Sequence, residues 1–209
     1  MNRASKNWLI IFLGLLLFGI STWLATKGEL VLGEEYILNF AYGLPADLRL
    51  FFLVITLLGS AWILAIILIA LLIKERYDIA LRLMAASALA YLITGFAKEI
   101  ISRPRPGFLI DVLHREILVF GYGFPSGHTS LATTIALIVS AYLPTKRKYI
   151  VGIWIGAVAL SRLYLGVHAP LDIVGGICIG VVVAYTVLLI MPVHKNVKGI
   201  RVAKKHKQP

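Results

Sequence analysis

The sequence has few charged side chains for its length: only 15% of its 209 residues are Asp, Glu, Lys or Arg. A soluble domain of average composition is about a quarter charged and about half apolar. Here 59% of the residues are hydrophobic, they occur in long runs, and the mean hydropathy is +0.88. This composition excludes an ordinary soluble domain and predicts an integral membrane protein.

Cysteine and acidic residues are also scarce. The single cysteine, Cys178, lies in an apolar run and excludes an intramolecular disulfide. Ten acidic residues against 21 basic ones give a formal net charge of +11. We reject nucleic-acid binding as the reason for this charge. The basic residues lie in short segments between apolar runs and near the C-terminal end, where membrane topology explains them.

Six apolar runs approach the length of about 20 residues that a membrane-spanning helix needs. They predict spans near 7–26, 50–73, 79–101, 128–143, 149–167 and 171–191. The first run is longer than the apolar core of a signal peptide, so we expect an uncleaved helix. The predicted fold class is therefore an all-α, six-helix membrane bundle. It forms a single domain over 1–209, with a motif-bearing core at about 79–191 and a basic cytoplasmic tail at about 192–209.

The distribution of lysine and arginine predicts the orientation of this bundle. With a cytoplasmic N-terminus, 14 of the 21 basic residues fall in cytoplasmic segments, the side that positive residues favour. Both termini are then cytoplasmic, and three polar clusters face outward. The basic tail either contacts anionic lipid head groups or reflects topology alone.

The segment 27–49 is less apolar than the predicted spans on either side of it. Its aromatic and aliphatic residues between Tyr36 and Tyr42 predict a short amphipathic helix on the outer membrane surface. We favour a simple tether between the first two spans. The alternative is a lid over a site or an entry lip for lipid.

The first polar cluster lies at the outer end of the third predicted span. Lys98 is followed seven residues later by Arg105, which lies between Pro104 and Pro106. Prolines end a helix and hold the next backbone extended, which keeps Arg105 near the helix end. Arginine binds phosphate through two hydrogen bonds, and lysine adds a point charge. Alone, Lys98 is equally consistent with a side chain that extends to the membrane interface.

The second cluster, Pro125–Ser126–Gly127–His128, precedes the fourth apolar run. Ser126 is a good helix N-cap, and the first amides of a helix form a natural anion site. Gly127 permits close approach of the backbone, and His128 then lies in the first turn beside any bound phosphate. The alternative is a capped helix with an interfacial histidine.

The third cluster runs from Ser161 to Asp172. Arg162 lies near the outer end of the fifth span, where a charge indicates function. Pro170 suits the first turn of the sixth span, and Asp172 follows His168 by four residues, so the two are neighbours if this turn is helical. Asp172 then accepts from one imidazole nitrogen and leaves the other unprotonated toward a substrate. A buried structural pair is the alternative for this cluster alone.

Under the predicted topology all three clusters fall on one side of the membrane. Together they supply three cations, two histidines, a serine hydroxyl and a carboxylate, the groups needed to bind a phosphate and attack it. A metal site at His128, His168 and Asp172 is the natural competitor, but three nearby cations would repel a divalent ion. We therefore expect no catalytic metal and no other cofactor. His114, in the outer loop, has no evident partner, and we expect it at the surface.

The three clusters together resemble the type 2 phosphatidic acid phosphatase family, which shares its site with vanadium haloperoxidases. This sequence meets the family pattern K-x6-R-P, P-S-G-H and S-R-x5-H-x3-D in full. The matching residues are Lys98, Arg105, Pro106, Pro125, Ser126, Gly127, His128, Ser161, Arg162, His168 and Asp172. The resemblance implies a helical bundle of the haloperoxidase type, a site at the outer membrane face, and hydrolysis without a metal.

The resemblance also implies a role for each residue. His168 would be the nucleophile that forms a phosphohistidine, and Asp172 would orient it. His128 would protonate the leaving oxygen and then activate water. The residues alone do not decide which histidine is the nucleophile. The implied phosphate-binding residues are Lys98, Arg105, Ser126, Gly127 and Arg162.

These expectations describe a membrane lipid phosphatase that acts on a lipid monoester or diphosphate at the extracytoplasmic face. The compact chain resembles bacterial enzymes for undecaprenyl diphosphate, phosphatidylglycerol phosphate or phosphatidic acid, and we favour undecaprenyl diphosphate. A broad-specificity phospholipid phosphatase, a transferase that uses the same intermediate, and a non-catalytic lipid carrier are the alternatives. The expected partners are the lipid substrate and membrane lipids, and the sequence sets no oligomeric state.

Overall fold

The computed structural model describes residues 2–31, 33–109 and 121–193, and the regular secondary structure of these residues is entirely helical. They form the α-helices α1 (Arg3–Ala25), α2 (Glu34–Tyr42), α3 (Arg49–Leu57), α4 (Ala61–Ile73), α5 (Tyr77–Ile101), α6 (Gly127–Ser140), α7 (Tyr149–Tyr164) and α8 (Pro170–Ile190). There are three short 3-10 turns. One, Ala46–Leu48, precedes α3; the second, Pro106–Phe108, follows α5; and the third, Thr145–Arg147, precedes α7. The prediction of an all-α fold is confirmed.

Within the described residues, three helical stretches are long and apolar enough to cross a membrane: Ala4–Ala25, Tyr77–Phe108 and Pro170–Ile190. The pair Glu34–Tyr42 and Ala46–Leu57 passes the same test together, with a bend of 91°, and would make a fourth span if counted as one. The apolar helices α4 and α6 have only 13 and 14 residues, fewer than a straight span needs. These helices support an integral membrane protein, and the number of six spans stays a prediction.

The predicted span 50–73 is divided in the structure into α3 and α4, which is a correction to the sequence analysis. At the corner, a Cβ on Gly59 would lie 2.7 Å from the carbonyl oxygen of His128, so the absence of a side chain lets the corner pack against α6. The indole N–H of Trp154 donates to the carbonyl of Leu58 at 3.0 Å and ties the corner to α7. A long apolar run does not reveal such a break.

α8 packs against α1, α5 and α6. Its small residues Gly176 and Gly180 let α6 approach closely, since a Cβ on Gly180 would lie 2.5 Å from the Cβ of Thr133. Most of the buried apolar side chains lie between α5, α6 and α8: Leu83, Ala86, Ala90, Ile135, Ile138, Ile179, Val183, Ala184 and Val187. The packing of α6 against α5, α7 and α8 brings together the C-terminal ends of α5 and α7 and the N-terminal ends of α6 and α8, which carry the three polar clusters.

The predicted short helix in the segment 27–49 is present as α2. It contacts α7 and α8 and buries Glu34 and Leu38, while Tyr36 and Phe40 are exposed. α2 is therefore a packed part of the protein and more than a tether.

The remaining predicted spans correspond closely to α1, α5, α6, α7 and α8. Two sequence predictions lie outside the described residues. These are the surface position of His114 and the basic tail from Lys195 to Lys207.

Candidate active site

The start of α6 forms as predicted from the second cluster. Ser126 is the N-cap, and its hydroxyl oxygen accepts from the N–H and the hydroxyl of Thr129 at 3.4 and 3.0 Å. The N–H of Ser126 donates to the carbonyl of Asp172 at 2.8 Å, which ties α6 to α8. Gly127 and His128 occupy the first turn, where helix amides lack intrahelical acceptors and favour an anion.

The two cations of the first cluster hold one loop. Lys98 Nζ donates to two carbonyl oxygens of the loop 121–123, at 2.6 and 3.2 Å. The buried Arg105 donates from Nε to a third carbonyl of this loop at 2.9 Å, and from Nη1 to the carbonyl of Val167 at 2.8 Å. Because an anionic phosphate oxygen is a stronger acceptor than a neutral carbonyl, both cations are suited to bind phosphate.

His168 and Asp172 are in contact, as their spacing predicts. His168 Nδ1 lies 3.3 Å from Asp172 Oδ2, and the two side chains are 3% and 0% exposed. The same oxygen accepts from the N–H of Ala169 at 2.9 Å, directly before α8 begins at Pro170. Since Nδ1 faces the carboxylate, the other ring nitrogen of His168 is left to face a substrate.

Burial lowers the pKa of His168 well below its ordinary value, and the positive charges of Lys98, Arg162 and Arg105 lower this pKa further. His128 also lowers the pKa of His168. A neutral imidazole is the form that attacks as a nucleophile. The contacts place the three predicted cations and both histidines in one region. Lys98 and Arg105 bond the same loop, and Arg105 also bonds the carbonyl directly before His168. The N–H of Val167 donates to the carbonyl of Arg162 at 3.3 Å, and Lys98 and His128 line one cavity.

Arg162 lies in the last turn of α7 and is buried. Its Nη1 donates to the hydroxyl oxygen of Thr56, at the end of α3, at 2.7 Å. A threonine inside an apolar run gave no sign in the sequence that it would contact the site. The corner between α3 and α4 therefore contributes to the site as well as to the bundle.

Two further buried charges lie behind Asp172, and the sequence analysis assigned neither a role. Arg103 Nη1 donates to Asp172 Oδ1 at 2.9 Å, and the same guanidinium pairs with Glu34 of α2. The sequence held only indirect signals of this pairing. Arg103 and Arg105 flank Pro104, and Glu34 is one of only ten acidic residues in the chain.

A cavity of about 400 Å³ opens beside Lys98 and His128, between α4, α5 and α6. Lys98 and His128 line part of its wall, and Trp62, Tyr91 and Leu131 line another part. Trp62 and Tyr91 are 75% and 77% exposed, so this part of the cavity wall is open to the surroundings of the protein. A polar end beside an apolar wall suits a ligand with a charged head and an apolar tail.

The model of the PAP2 superfamily matches residues 79–195, which is more than half of the chain. The chain belongs to the PAP2 superfamily. The match includes α5 to α8 and all three polar clusters, so the predicted family is confirmed.

Two curated relatives and one solved structure are similar to the chain. The chain is 36% identical to sphingosine-1-phosphate phosphatase 2 of Mus musculus over 113 residues, which are 50% of this chain and 32% of the relative. It is 33% identical to lipid A 4'-phosphatase of Porphyromonas gingivalis over 147 residues, which are 63% of this chain and 62% of the relative. Both alignments thus cover less than two thirds of the relative's length. The crystal structure of Aquifex aeolicus LpxE is similar with a TM-score of 0.69 and 29% identity, over 76% of this chain and 96% of that one.

The PAP2 match begins near the start of α5, so α1 to α4 precede it. This earlier part of the chain nevertheless supplies Glu34 and Thr56, the partners of Arg103 and Arg162. The site is therefore supported by side chains from outside the matched region.

Proposed function

We propose that the protein is a membrane lipid phosphatase that hydrolyses a phosphate monoester or diphosphate of a lipid through a phosphohistidine at His168. The observation that carries this proposal is the contact between His168 and Asp172 in a region shared with Lys98, Arg105 and Arg162. Membership of the PAP2 superfamily and the adjoining apolar cavity support it.

In the first half-reaction, Nε2 of His168 attacks phosphorus, and a nitrogen–phosphorus bond forms as the bond to the leaving oxygen breaks. This oxygen is the lipid's ester oxygen in a monoester and the bridging oxygen in a diphosphate. The electron pair of the broken bond remains on that oxygen, which takes a proton from His128. The negative charge of the bound phosphate favours the protonated form of His128 that this step needs. Asp172 stabilises the positive charge that develops on His168.

The anionic oxygens of the phosphoryl group are held by the surrounding donors during both steps. Lys98, Arg105 and Arg162 supply positive charge, and the first amides of α6 after Ser126 supply dipoles directed at an anion. These groups stabilise the transition state because its charge is spread over the same oxygens.

In the second half-reaction, His128, now neutral, removes a proton from a water molecule that attacks phosphorus. The nitrogen–phosphorus bond breaks, its electron pair returns to His168, and inorganic phosphate leaves. His168 is neutral again and His128 carries the proton for the next turnover. Protons and electrons balance without a metal or any other cofactor.

The lipid tail is proposed to lie in the cavity between α4, α5 and α6, so that the head group reaches Lys98 and His128 without leaving the bilayer. The chain is proposed to form a single domain with six crossings, in which α3 and α4 together make one and α1, α5, α6, α7 and α8 make the others. Both termini are cytoplasmic, as the lysine and arginine distribution indicates, and the site faces the extracytoplasmic side.

Phosphate release by purified, detergent-solubilised protein in EDTA tests the proposal. Undecaprenyl diphosphate, phosphatidylglycerol phosphate and phosphatidic acid are compared as substrates, with undecaprenyl diphosphate as the favoured one and His168→Ala as the control. Release that vanishes in the variant supports the proposal, and the ratio of rates identifies the preferred lipid. No release from any of the three by folded protein contradicts it. A phosphorylated acceptor in place of free phosphate would identify a transferase.

A further inference from the structure

A chain of three buried charged residues runs from α2 to the histidine of the site. Arg103 donates from Nη1 to Asp172 Oδ1 at 2.9 Å, and its guanidinium also pairs with Glu34. The side chains of Arg103 and Asp172 are fully buried, and that of Glu34 is nearly so. Asp172 in turn faces His168, so one arginine connects a carboxylate of α2 to the carboxylate beside the histidine.

The two carboxylate oxygens of Asp172 contact different partners. Oδ2 faces His168 and accepts from the N–H of Ala169, whereas Oδ1 accepts from Arg103. Rotation of the carboxylate would therefore break the contact with Arg103 at the same time as the contact with His168. Arg103 thus fixes the plane of the carboxylate that His168 faces.

Glu34 fixes Arg103 and also the start of α8. It accepts from the N–H of Leu171 at 2.7 Å, one residue before Asp172, and from the N–H of Val31 at 2.9 Å. Arg103 Nη2 also donates to the carbonyl of Glu29 at 2.7 Å. The segment before α2 is thereby bound to the same turn that carries Asp172.

The loop 121–123, which Lys98 and Arg105 hold, is also hydrogen-bonded to Arg103. The N–H of Gly123 donates to the carbonyl of Arg103 at 2.8 Å. A Cβ on Gly123 would lie 2.9 Å from Asp172 Oδ2, so the loop reaches the carboxylate only because residue 123 has no side chain. Lys98 donates to the carbonyl of the same glycine. Asp172 is therefore enclosed on the side of Arg103 and on the side of this loop.

We propose that Arg103 and Glu34 are positioning residues that act through Asp172 to hold His168 in the orientation for attack on phosphorus. This inference rests on the proposed function, because it concerns the nucleophile of that reaction. Neither residue needs to touch the substrate. α2 thereby becomes part of the catalytic apparatus, a third role beside the lid and the tether that its sequence left open.

Stability alone is a weak reason for such an arrangement. Buried ion pairs seldom stabilise a protein more than well-packed apolar side chains of similar volume, because both charges lose their hydration. Three charged side chains that end at a proposed nucleophile are better explained by its orientation. Misplacement of a reacting group by about 1 Å can reduce the rate by about 100-fold.

The test measures kcat, KM and the thermal unfolding midpoint of the full chain with the best lipid substrate from the panel above. Arg103→Met should reduce kcat by roughly 10- to 100-fold and change KM little, since the phosphate-binding cations remain. Arg103→Lys keeps the buried positive charge but not the planar group that spans two carboxylates, so a smaller loss is expected. Glu34→Gln keeps an acceptor for the N–H of Leu171, and we expect a loss of kcat of roughly 10-fold.

Arg82→Met provides the matched control for a purely structural effect. Arg82, on α5, is mostly buried and donates to the carbonyls of Met191 and Pro192 at 2.8 and 3.0 Å. These carbonyls follow the C-terminal end of α8, whereas Asp172 lies at its N-terminal end. Its loss should lower the unfolding midpoint and leave kcat per folded molecule unchanged. A fall in kcat for Arg82→Met that matches the fall for Arg103→Met would overturn the positioning role.

A double-mutant cycle tests whether Arg103 acts through Asp172. If it does, Arg103→Met should reduce kcat by no more than roughly two-fold in an Asp172→Asn background. Equal losses in both backgrounds would overturn the inference, as would an unchanged kcat in Arg103→Lys and Glu34→Gln. Wild-type protein without His168-dependent turnover would instead contradict the proposed function, so the two failures are distinguishable.

Discussion

Asp172 Oδ2 lies 3.3 Å from Nδ1 of His168, and both side chains are buried. This contact is the centre of the proposed mechanism, because it orients the imidazole and stabilises the charge that forms on it. It is also local, since the two residues are four apart on the turn that begins α8. Its consequences for activity can be measured one residue at a time.

Asp172→Asn should reduce kcat by about 100- to 10,000-fold. Asparagine has the same shape and, with its oxygen at the Oδ2 position, still accepts from the N–H of Ala169. Its NH2 group then faces Arg103 in place of an acceptor, and it lacks the charge that stabilises the imidazolium. Steady-state kinetics on folded variant, checked by its unfolding midpoint, measure the loss. A kcat within a few-fold of wild type would contradict the proposed role of Asp172.

Activity should persist in acid to a lower pH than an ordinary histidine nucleophile allows. The pKa of His168 is lowered mainly by burial and then by Lys98, Arg162 and Arg105. Since protonation blocks attack, a lowered pKa shifts the acidic loss of kcat/KM to below about 6.5, the ordinary pKa of histidine.

The pH profile of kcat/KM for the free enzyme and substrate measures this shift. Titration of the substrate's own phosphate is determined separately by phosphorus NMR and removed from the profile. After that correction, the acidic loss of kcat/KM could have its midpoint near or above the ordinary pKa of histidine. This result would show that His168 is not the group whose neutral form is required.

His128→Ala should slow lipid phosphate monoesters, such as phosphatidic acid, far more than p-nitrophenyl phosphate. The alkoxide of such a monoester is a poor leaving group and needs a proton from His128, whereas p-nitrophenolate leaves without one. General acid catalysis contributes about 100- to 10,000-fold, so a loss of this size is expected for the lipid. Single-turnover release of the alcohol or phenol isolates this step from water attack. Equal losses for both substrates would exclude His128 as the general acid.

Gly95→Leu should raise KM for long-tailed lipids and leave p-nitrophenyl phosphate turnover unchanged. Gly95 lines the proposed tail cavity, and among the described residues no heavy atom of a neighbouring part of the chain lies within 4 Å of the position its Cβ would take. A leucine side chain there would start in open space at the cavity wall and reduce the room for a lipid tail.

Gly152→Leu is the matched control for the cavity variant. Gly152 is also an exposed helical glycine with open space around it, but it lies on α7 and does not line the cavity. The control should turn over lipid as wild type does. Unchanged lipid kinetics in Gly95→Leu would mean that the tail lies elsewhere.

The local features of the site could be predicted from the sequence. Ser126 caps α6, Pro170 begins α8, and Asp172 contacts His168, each as its spacing indicated. These predictions succeed because capping and i,i+4 contacts depend on neighbours along the chain. Arg105 also lies near Lys98 at the end of α5, as the flanking prolines indicated, since both side chains bond the loop 121–123.

The long-range features could not be predicted in the same way. Arg103 pairs with Glu34, 69 residues earlier, and neither residue is part of a repeating pattern. The break between α3 and α4 was hidden because both helices are apolar, and at this corner Gly59 lies close to the backbone of His128, which is far away in sequence. Such contacts depend on which helices become neighbours, and this is fixed by packing of the whole bundle.

The most direct test of the account is the identity of the residue that carries phosphate during turnover. His128→Ala, supplied with p-nitrophenyl phosphate, should accumulate a covalent intermediate, because the phenol leaves unaided while water lacks its base. Rapid quenching at alkaline pH, where phosphohistidine survives, followed by mass spectrometry locates the phosphate. Phosphate is expected on His168, and none is expected in the His128→Ala, His168→Ala double variant. Phosphate on another residue, or turnover of wild type without any covalent intermediate, would contradict it.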